Sequence, residues 1–196
     1  MSGPFDFKHL KVLAIGGSAG SIEVLNQLLP ALPSALPLAV VVVVHLPPHS
    51  RSELPSIYGP QCRLPVREAS DKDLIEQGTI VFAPPGYHLL VEDERTFALS
   101  IDPPVHFSRP SIDVLFESVA DVYGDRAIGV VLSGASEDGA VGLKRIASRG
   151  GVPVVQSIGT AAVPRMPEAA RQAIAPQAPM TLDEMLANLE ALTETR

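Results

Sequence analysis

The sequence predicts an α/β fold: a doubly wound, mainly parallel sheet with an antiparallel β-hairpin excursion. Three observations lead there. Short, continuous apolar runs rich in β-branched residues recur along the chain, and unbroken runs suit strands covered on both faces. Segments with apolar residues at helical spacing separate these runs, and strands alternating with helices build a parallel sheet with helices on its faces. One region breaks the alternation, where two short strands flank Asp93-Glu94-Arg95.

The elements follow in order. Residues 11–16 (KVLAIG) form the first strand, and residues 21–29 a helix with Ile22, Leu25, Leu28 and Leu29 on one face. Residues 38–45 (LAVVVVVH) and 79–83 (TIVFA) are the next strands, and 87–92 with 96–100 make the hairpin. Residues 110–123 read as a helix with Val114, Leu115, Val119 and Val122 on its apolar stripe. The strand 127–133 (AIGVVLS) leads to a helix over 138–148 carrying Val141, Leu143 and Ile146. Lys144 and Arg145 stand near the end of that helix, where they complement its dipole. A strand over 152–156 (VPVVQ) and helices over 168–175 and 182–192 complete the pattern. The last helix lines up Leu182, Met185, Leu186, Leu189 and Leu192 for docking on the rest of the chain. The 19 prolines are spread through loops and mark no boundary. One domain over 1–196 is expected, with a core at about 11–176 and a C-terminal helix at about 181–193.

Composition narrows the function classes. With 196 residues, 46% hydrophobic and 19% charged, the chain has the apolar mass that a disordered protein lacks. A net charge of −7 removes the global basic field that grips nucleic acid phosphates. The longest apolar run, residues 38–44, falls far short of the ~20 residues of a membrane helix. The first ten residues mix Asp6, Lys8 and His9 with apolar ones and read as no signal peptide. A lone cysteine, Cys62, forms no intrachain disulfide. A cytoplasmic chain is expected, with no direct membrane insertion and no nucleic acid partner.

In open α/β sheets ligands bind beyond the carboxyl ends of the strands. The first strand leads into Gly16-Gly17-Ser18-Ala19-Gly20, the second ends on His45, and the fourth runs through Ser133-Gly134-Ala135-Ser136-Glu137 to Asp138-Gly139. These ends supply a hydroxyl nucleophile, an imidazole base and a carboxylate, the chemical set of a Ser-His-Asp triad. Each also has a plain structural reading. Ser18 fits a strained strand-to-helix turn that exposes its hydroxyl, or a phosphate-binding or simply capped turn. His45 is a general base or a half-buried structural histidine. Asp138 orients the imidazole or caps the helix that follows it, a task Ser136 could take over. Their coincidence at strand ends of one sheet favours the catalytic set. The chain order Ser…His…Asp differs from that of α/β-hydrolases, chymotrypsin and subtilisin. No metal is expected: His9, His45, His49, His88 and His106 lack ligand spacing, and Pro47-Pro48 keeps His45 and His49 off a common helix face. Arg109 is expected to pair with Asp113, and His88 and His106 either line the cleft or pack.

Five blocks carry a resemblance. They are Ile15-Gly16-Gly17-Ser18-Ala19-Gly20, Val44-His45-Leu46-Pro47-Pro48, Ala83-Pro84-Pro85-Gly86-Tyr87-His88, Arg109-Pro110-Ser111-Ile112-Asp113-Val114-Leu115-Phe116, and Leu132-Ser133-Gly134 through Asp138-Gly139-Ala140. In this order they resemble the catalytic domain of the chemotaxis receptor methylesterase family, CheB, over about residues 12–173. The resemblance implies Ser18 as nucleophile, His45 as general base and Asp138 as its orienter. It also implies backbone N–H groups of Ala135, and of Ala19 as a second candidate, at the oxyanion. It implies hydrolysis of glutamate γ-methyl esters on chemoreceptor cytoplasmic helices, deamidation of receptor glutamines, a methyl-accepting chemoreceptor as partner and no cofactor. The chain departs from the family in places. Ala135 stands where methionine is usual, Ser136-Glu137 brings an extra carboxylate, and Pro164-Arg165 replaces Phe-Gly. The catalytic pattern starting near Val12 leaves no room for the family's receiver domain, so control by a partner, expression or substrate supply is expected. Two other readings stand beside the esterase: a catalytically weak regulatory module that docks receptors or signalling partners, and a nucleotide- or phosphate-binding protein using the Gly16–Gly20 turn.

Overall fold

A computed structural model describes residues 9–46, 52–174 and 179–194. Pro47, Pro48 and His49 of the sequence reading lie outside the described residues. Six strands form the main sheet: β1 (Val12–Gly17), β2 (Ala39–Val44), β3 (Val66–Glu68), β4 (Ile80–Phe82), β7 (Ala127–Val131) and β8 (Val152–Val155). Their order is β3-β4-β2-β1-β7-β8, every pair parallel. The separate β5 (His88–Val91) and β6 (Phe97–Ser100) form an antiparallel hairpin. The doubly wound fold with a hairpin excursion is therefore present, the hairpin being a sheet of its own.

Residues alternate across the sheet with the strand period of two. Leu13, Ile15, Val40, Val42, Ile80, Phe82, Ile128 and Val130 face one side. There they meet α1 (Ser21–Ala31), α2 (Leu54–Tyr58) and α6 (Leu182–Glu194), with Met185, Leu189 and Leu192 of α6 buried as the sequence leads one to expect. Tyr58 stacks on Phe82 at 5.5 Å between centroids and donates its hydroxyl to Asn26. Val12, Ala14, Val41, Val43, Val81 and Val131 face the other side, against α3 (Ile112–Tyr123), α4 (Ala140–Ser148) and α5 (Arg165–Ile174). The hairpin joins this second core through Leu89, Val91 and Phe97, and Val91 N–H donates to Ser118 Oγ of α3.

Two helical faces differ from their sequence reading. Helix α3 buries Ile112, Leu115, Phe116, Val119, Ala120 and Tyr123, while Val114 and Val122 are only partly covered. It is wedged between sheet and α4, so its buried face is wider than one stripe. Helix α4 buries Gly142, Leu143 and Ile146 but leaves Val141 exposed. A Cβ on Gly142 would lie 2.5 Å from Phe116 Cβ and 3.1 Å from Asp113 Cα, so glycine is what lets α4 lie directly on α3. That approach positions the candidate site.

Candidate active site

Strand β1 stands between β2 and β7, where the order of strands reverses, and the carboxyl ends of these three strands meet there. Gly17 pairs with Val44 across β1 and β2, and His45 N–H donates to Gly17 O at 3.1 Å. Ser18 and His45 thus follow two residues in direct register, one strand apart. On the other side Ser18 N–H donates to Ser133 O at 2.9 Å. Beyond Ser18, Gly20 takes φ 78°, a left-handed conformation that glycine adopts without penalty, and α1 begins. Ser18 O accepts from the N–H and hydroxyl of Ser21, which closes the turn. Among the described residues Ser18 Oγ makes no hydrogen bond, so the hydroxyl is free at the site.

His45 and Asp138 are joined directly: Nε2 lies 2.8 Å from Oδ2. The carboxylate is fully buried and takes three more donors. Ile112 N–H reaches Oδ2 at 2.7 Å, while Ser111 Oγ and Asp113 N–H reach Oδ1 at 2.8 and 2.9 Å. Burial pushes this carboxyl up, but the bonds from His45, from the Asp113 and Ile112 N–H groups and from Ser111 outweigh it and hold Asp138 below the usual carboxylate range. An ionised carboxylate only accepts, so the His45 proton sits on Nε2 and the lone pair is on Nδ1. Nδ1 faces Ser108 Oγ at 3.3 Å, a second hydroxyl that the sequence reading did not single out.

Asp138 therefore does act as a helix cap, but for a different helix. It caps α3, the helix after Arg109-Pro110-Ser111, and not its own α4. Asp113 of α3 returns the favour: its Oδ1 accepts from Gly139 N–H at 2.9 Å and Gly142 N–H at 2.7 Å at the start of α4. Ser136 does not take over that cap; its hydroxyl accepts from Asp138 N–H at 3.3 Å. Burial pushes Asp113 up to about 6, opposed by the Gly142 bond and reinforced by the neighbouring Asp138 charge. Its Oδ2 lies 3.5 Å from His106 Nε2. The expected Arg109–Asp113 pair is absent: Arg109 donates instead to the carbonyls of Ile101 and Asp102 at 2.7 and 3.0 Å. Helix α3 starts at Ile112, so Arg109 and Asp113 do not share the helical spacing that such a pair needs.

Other expected residues find definite places. His88 is buried and structural, its Nδ1 accepting from Ser111 N–H and its Nε2 facing Pro103 O. The hydroxyl of buried Ser133 donates to Ala19 O at 2.8 Å and accepts from Val163 N–H at 2.9 Å, tying the loop after β1 to the segment before α5. Gly134 leaves room for Met166, whose Cε would lie 2.6 Å from a Cβ there. The extra carboxylate Glu137 is paired with Arg165, so its charge is compensated at the surface. Ala19 and Ala135 are both exposed, and among the described residues neither N–H is taken by a hydrogen bond. Burial pushes the Cys62 thiol up, away from thiolate chemistry. Among the described residues no His, Cys, Asp and Glu cluster could hold a metal ion, and no helix is long and apolar enough to cross a membrane.

This combination defines an α/β protein in which a free serine hydroxyl, an imidazole and a buried carboxylate gather at the ends of adjacent parallel strands. Comparison with known proteins narrows it further. Residues 13–189 match the family described as CheB methylesterase. A relative from Leptospira interrogans serogroup Icterohaemorrhagiae is 42% identical over 177 residues, covering 90% of this chain and 92% of its own. The protein-glutamate methylesterase/protein-glutamine glutaminase of Symbiobacterium thermophilum is 40% identical over 157 residues, 80% of this chain but 43% of its own length. The crystal structure of the Thermotoga maritima CheB methylesterase catalytic domain superposes with a TM-score of 0.87 at 26% identity, covering 93% of this chain and 98% of that one. The chain belongs to the CheB methylesterase family.

Proposed function

We propose that the chain hydrolyses glutamate γ-methyl esters on the cytoplasmic helices of chemoreceptors, and deamidates receptor glutamines, through Ser18, His45 and Asp138. The observation that carries the reading is the 2.8 Å contact from His45 Nε2 to an ionised, fully buried carboxylate, which leaves the Nδ1 lone pair for a proton one strand away from Ser18. Membership of the CheB methylesterase family supports the substrate class.

Ser18 Oγ attacks the ester carbonyl and Nδ1 takes its proton. Asp138 stabilises the imidazolium that forms, with no proton passing to the carboxylate. The N–H groups of Ala135 and Ala19 donate to the oxyanion, where preorganised donors lower the barrier most. Methanol leaves with the Nδ1 proton. Water then attacks the acyl-enzyme, gives its proton to Nδ1 and releases glutamate, and the proton returns to Ser18. With a glutamine the leaving group is ammonia and the sequence is otherwise the same. The test is methanol release from methylated chemoreceptor membranes by the purified chain and its Ser18→Ala variant. Release that depends on Ser18 is expected; equal release, or none from either across several receptors, contradicts the reading.

A further inference from the structure

We infer that Phe107 is a docking residue for the polypeptide that carries the ester, setting preference for a protein over a small ester. The inference rests on the proposed esterase reading and adds to it the residue that engages the substrate's flanking surface.

Phe107 lies at the tip of a two-residue turn. Val105 and Ser108 exchange both backbone hydrogen bonds, at 3.1 and 2.8 Å, and the two residues between them, His106 and Phe107, have φ of 48° and 62°. Such turns ordinarily use glycine, asparagine or aspartate, because a bulky residue at positive φ is strained. Phe107 is 103% exposed, so no packing among the described residues compensates that strain. One flanking side chain reaches a candidate catalytic residue, Ser108 Oγ lying 3.3 Å from His45 Nδ1, and the other, His106 Nε2, lies 3.5 Å from Oδ2 of Asp113, whose backbone N–H donates to Asp138. The tip is therefore held at the rim of the site, one residue from the side chain that faces His45 Nδ1.

Phe107 is not an isolated apolar residue on this rim. Arg109, two positions on, fastens three loops together: its carbonyl accepts from Gly86 N–H, and its guanidinium donates to the carbonyls of Ile101 and Asp102. Those loops expose Tyr87 (43%) and Ile101 (73%). An apolar rim on a catalytic cleft fits a polypeptide with apolar side chains next to the reacting one.

The experiment compares two substrates, a methylated chemoreceptor cytoplasmic fragment and the γ-methyl ester of N-acetyl-glutamate amide. Phe107→Ala and Phe107→Gly, the latter also suited to positive φ, are expected to lower kcat/KM about tenfold on the fragment, mainly through KM. The small ester should change less than twofold. Equal loss on both substrates, or no loss on the fragment, overturns the inference. Binding separates this result from failure of the esterase reading. In the Ser18→Ala background, Phe107→Ala should weaken binding of the fragment about tenfold whether or not the chain turns over. Absent or unweakened binding overturns it.

Discussion

At the scale of single residues, the site turns on which hydroxyl faces the lone pair of His45. Ser108 is the one seen near Nδ1, but its 3.3 Å contact is long for a hydroxyl bond and it closes a two-residue turn. Ser18 directly precedes Ala19 and lies against Gly134, the residue before Ala135, so it stands beside the two exposed N–H groups. Ser108→Ala is accordingly expected to change kcat by less than tenfold, and Ser18→Ala to abolish turnover; methanol release rates distinguish them. Asp138→Asn keeps the size but cannot accept four donors with two oxygens, so buried N–H groups lose partners. A loss of about 1–3 kcal/mol in urea unfolding is expected, with a fall in kcat of about 10⁴ where the amide selects the wrong imidazole tautomer, as the same aspartate-to-asparagine change does in serine proteases. Asp113 carries a pH signal of its own. Its folded value of about 6 lies above the roughly 3.9 of an unfolded aspartate. The folded chain therefore binds more protons between the two, and stability from this group falls as pH rises through that window. Asp113→Asn keeps an acceptor for Gly139 and Gly142 and removes the titration. Its stability relative to the parent should rise by up to about 3 kcal/mol between pH 4 and pH 7, measured by denaturant unfolding; a pH-independent difference contradicts the assignment. Asp138 runs the opposite way, its contribution present above the ordinary carboxylate range and lost at lower pH.

At the scale of elements, the site is a pair of helix starts that cap each other. Asp138, just before α4, closes the N-terminus of α3, and Asp113, in the first turn of α3, closes that of α4. The arrangement needs the close approach at Gly142. Gly142→Val is expected to push α4 off α3, costing about 1–3 kcal/mol by overpacking and more than tenfold in activity, read by unfolding and methanol release on one preparation. Little of this was legible in the sequence. Runs such as VVVVV declared their strands because a parallel strand is covered on both faces. Strand β3 did not, being a three-residue, half-buried edge, and α2 is too short to show a period. Asp138 was legible as a candidate cap of its own helix or an orienter; its carboxylate bonds His45 and the start of α3 instead of α4, and which helix it meets depends on a contact 26 residues away in sequence. Ser108 gave no signal at all, since what singles it out is a turn that folds it onto His45.

At the scale of the whole molecule, the sheet separates support from chemistry. One face is closed by α1, α2 and α6, the other by α3, α4 and α5, and the candidate site lies where the ends of β1, β2 and β7 converge. Leu189→Ala in α6 should therefore cost about 2–4 kcal/mol of stability while kcat stays within twofold of the parent, measured by unfolding and turnover. The apolar rim at Phe107 suits a protein substrate recognised by contact. The most direct measurement on the central claim is acid quenching of the chain during turnover of a small γ-methyl ester, followed by mass spectrometric mapping of the acyl group. The account predicts an adduct on the peptide containing Ser18, absent in Ser18→Ala. An adduct on Ser108, or turnover that continues without Ser18, would contradict it.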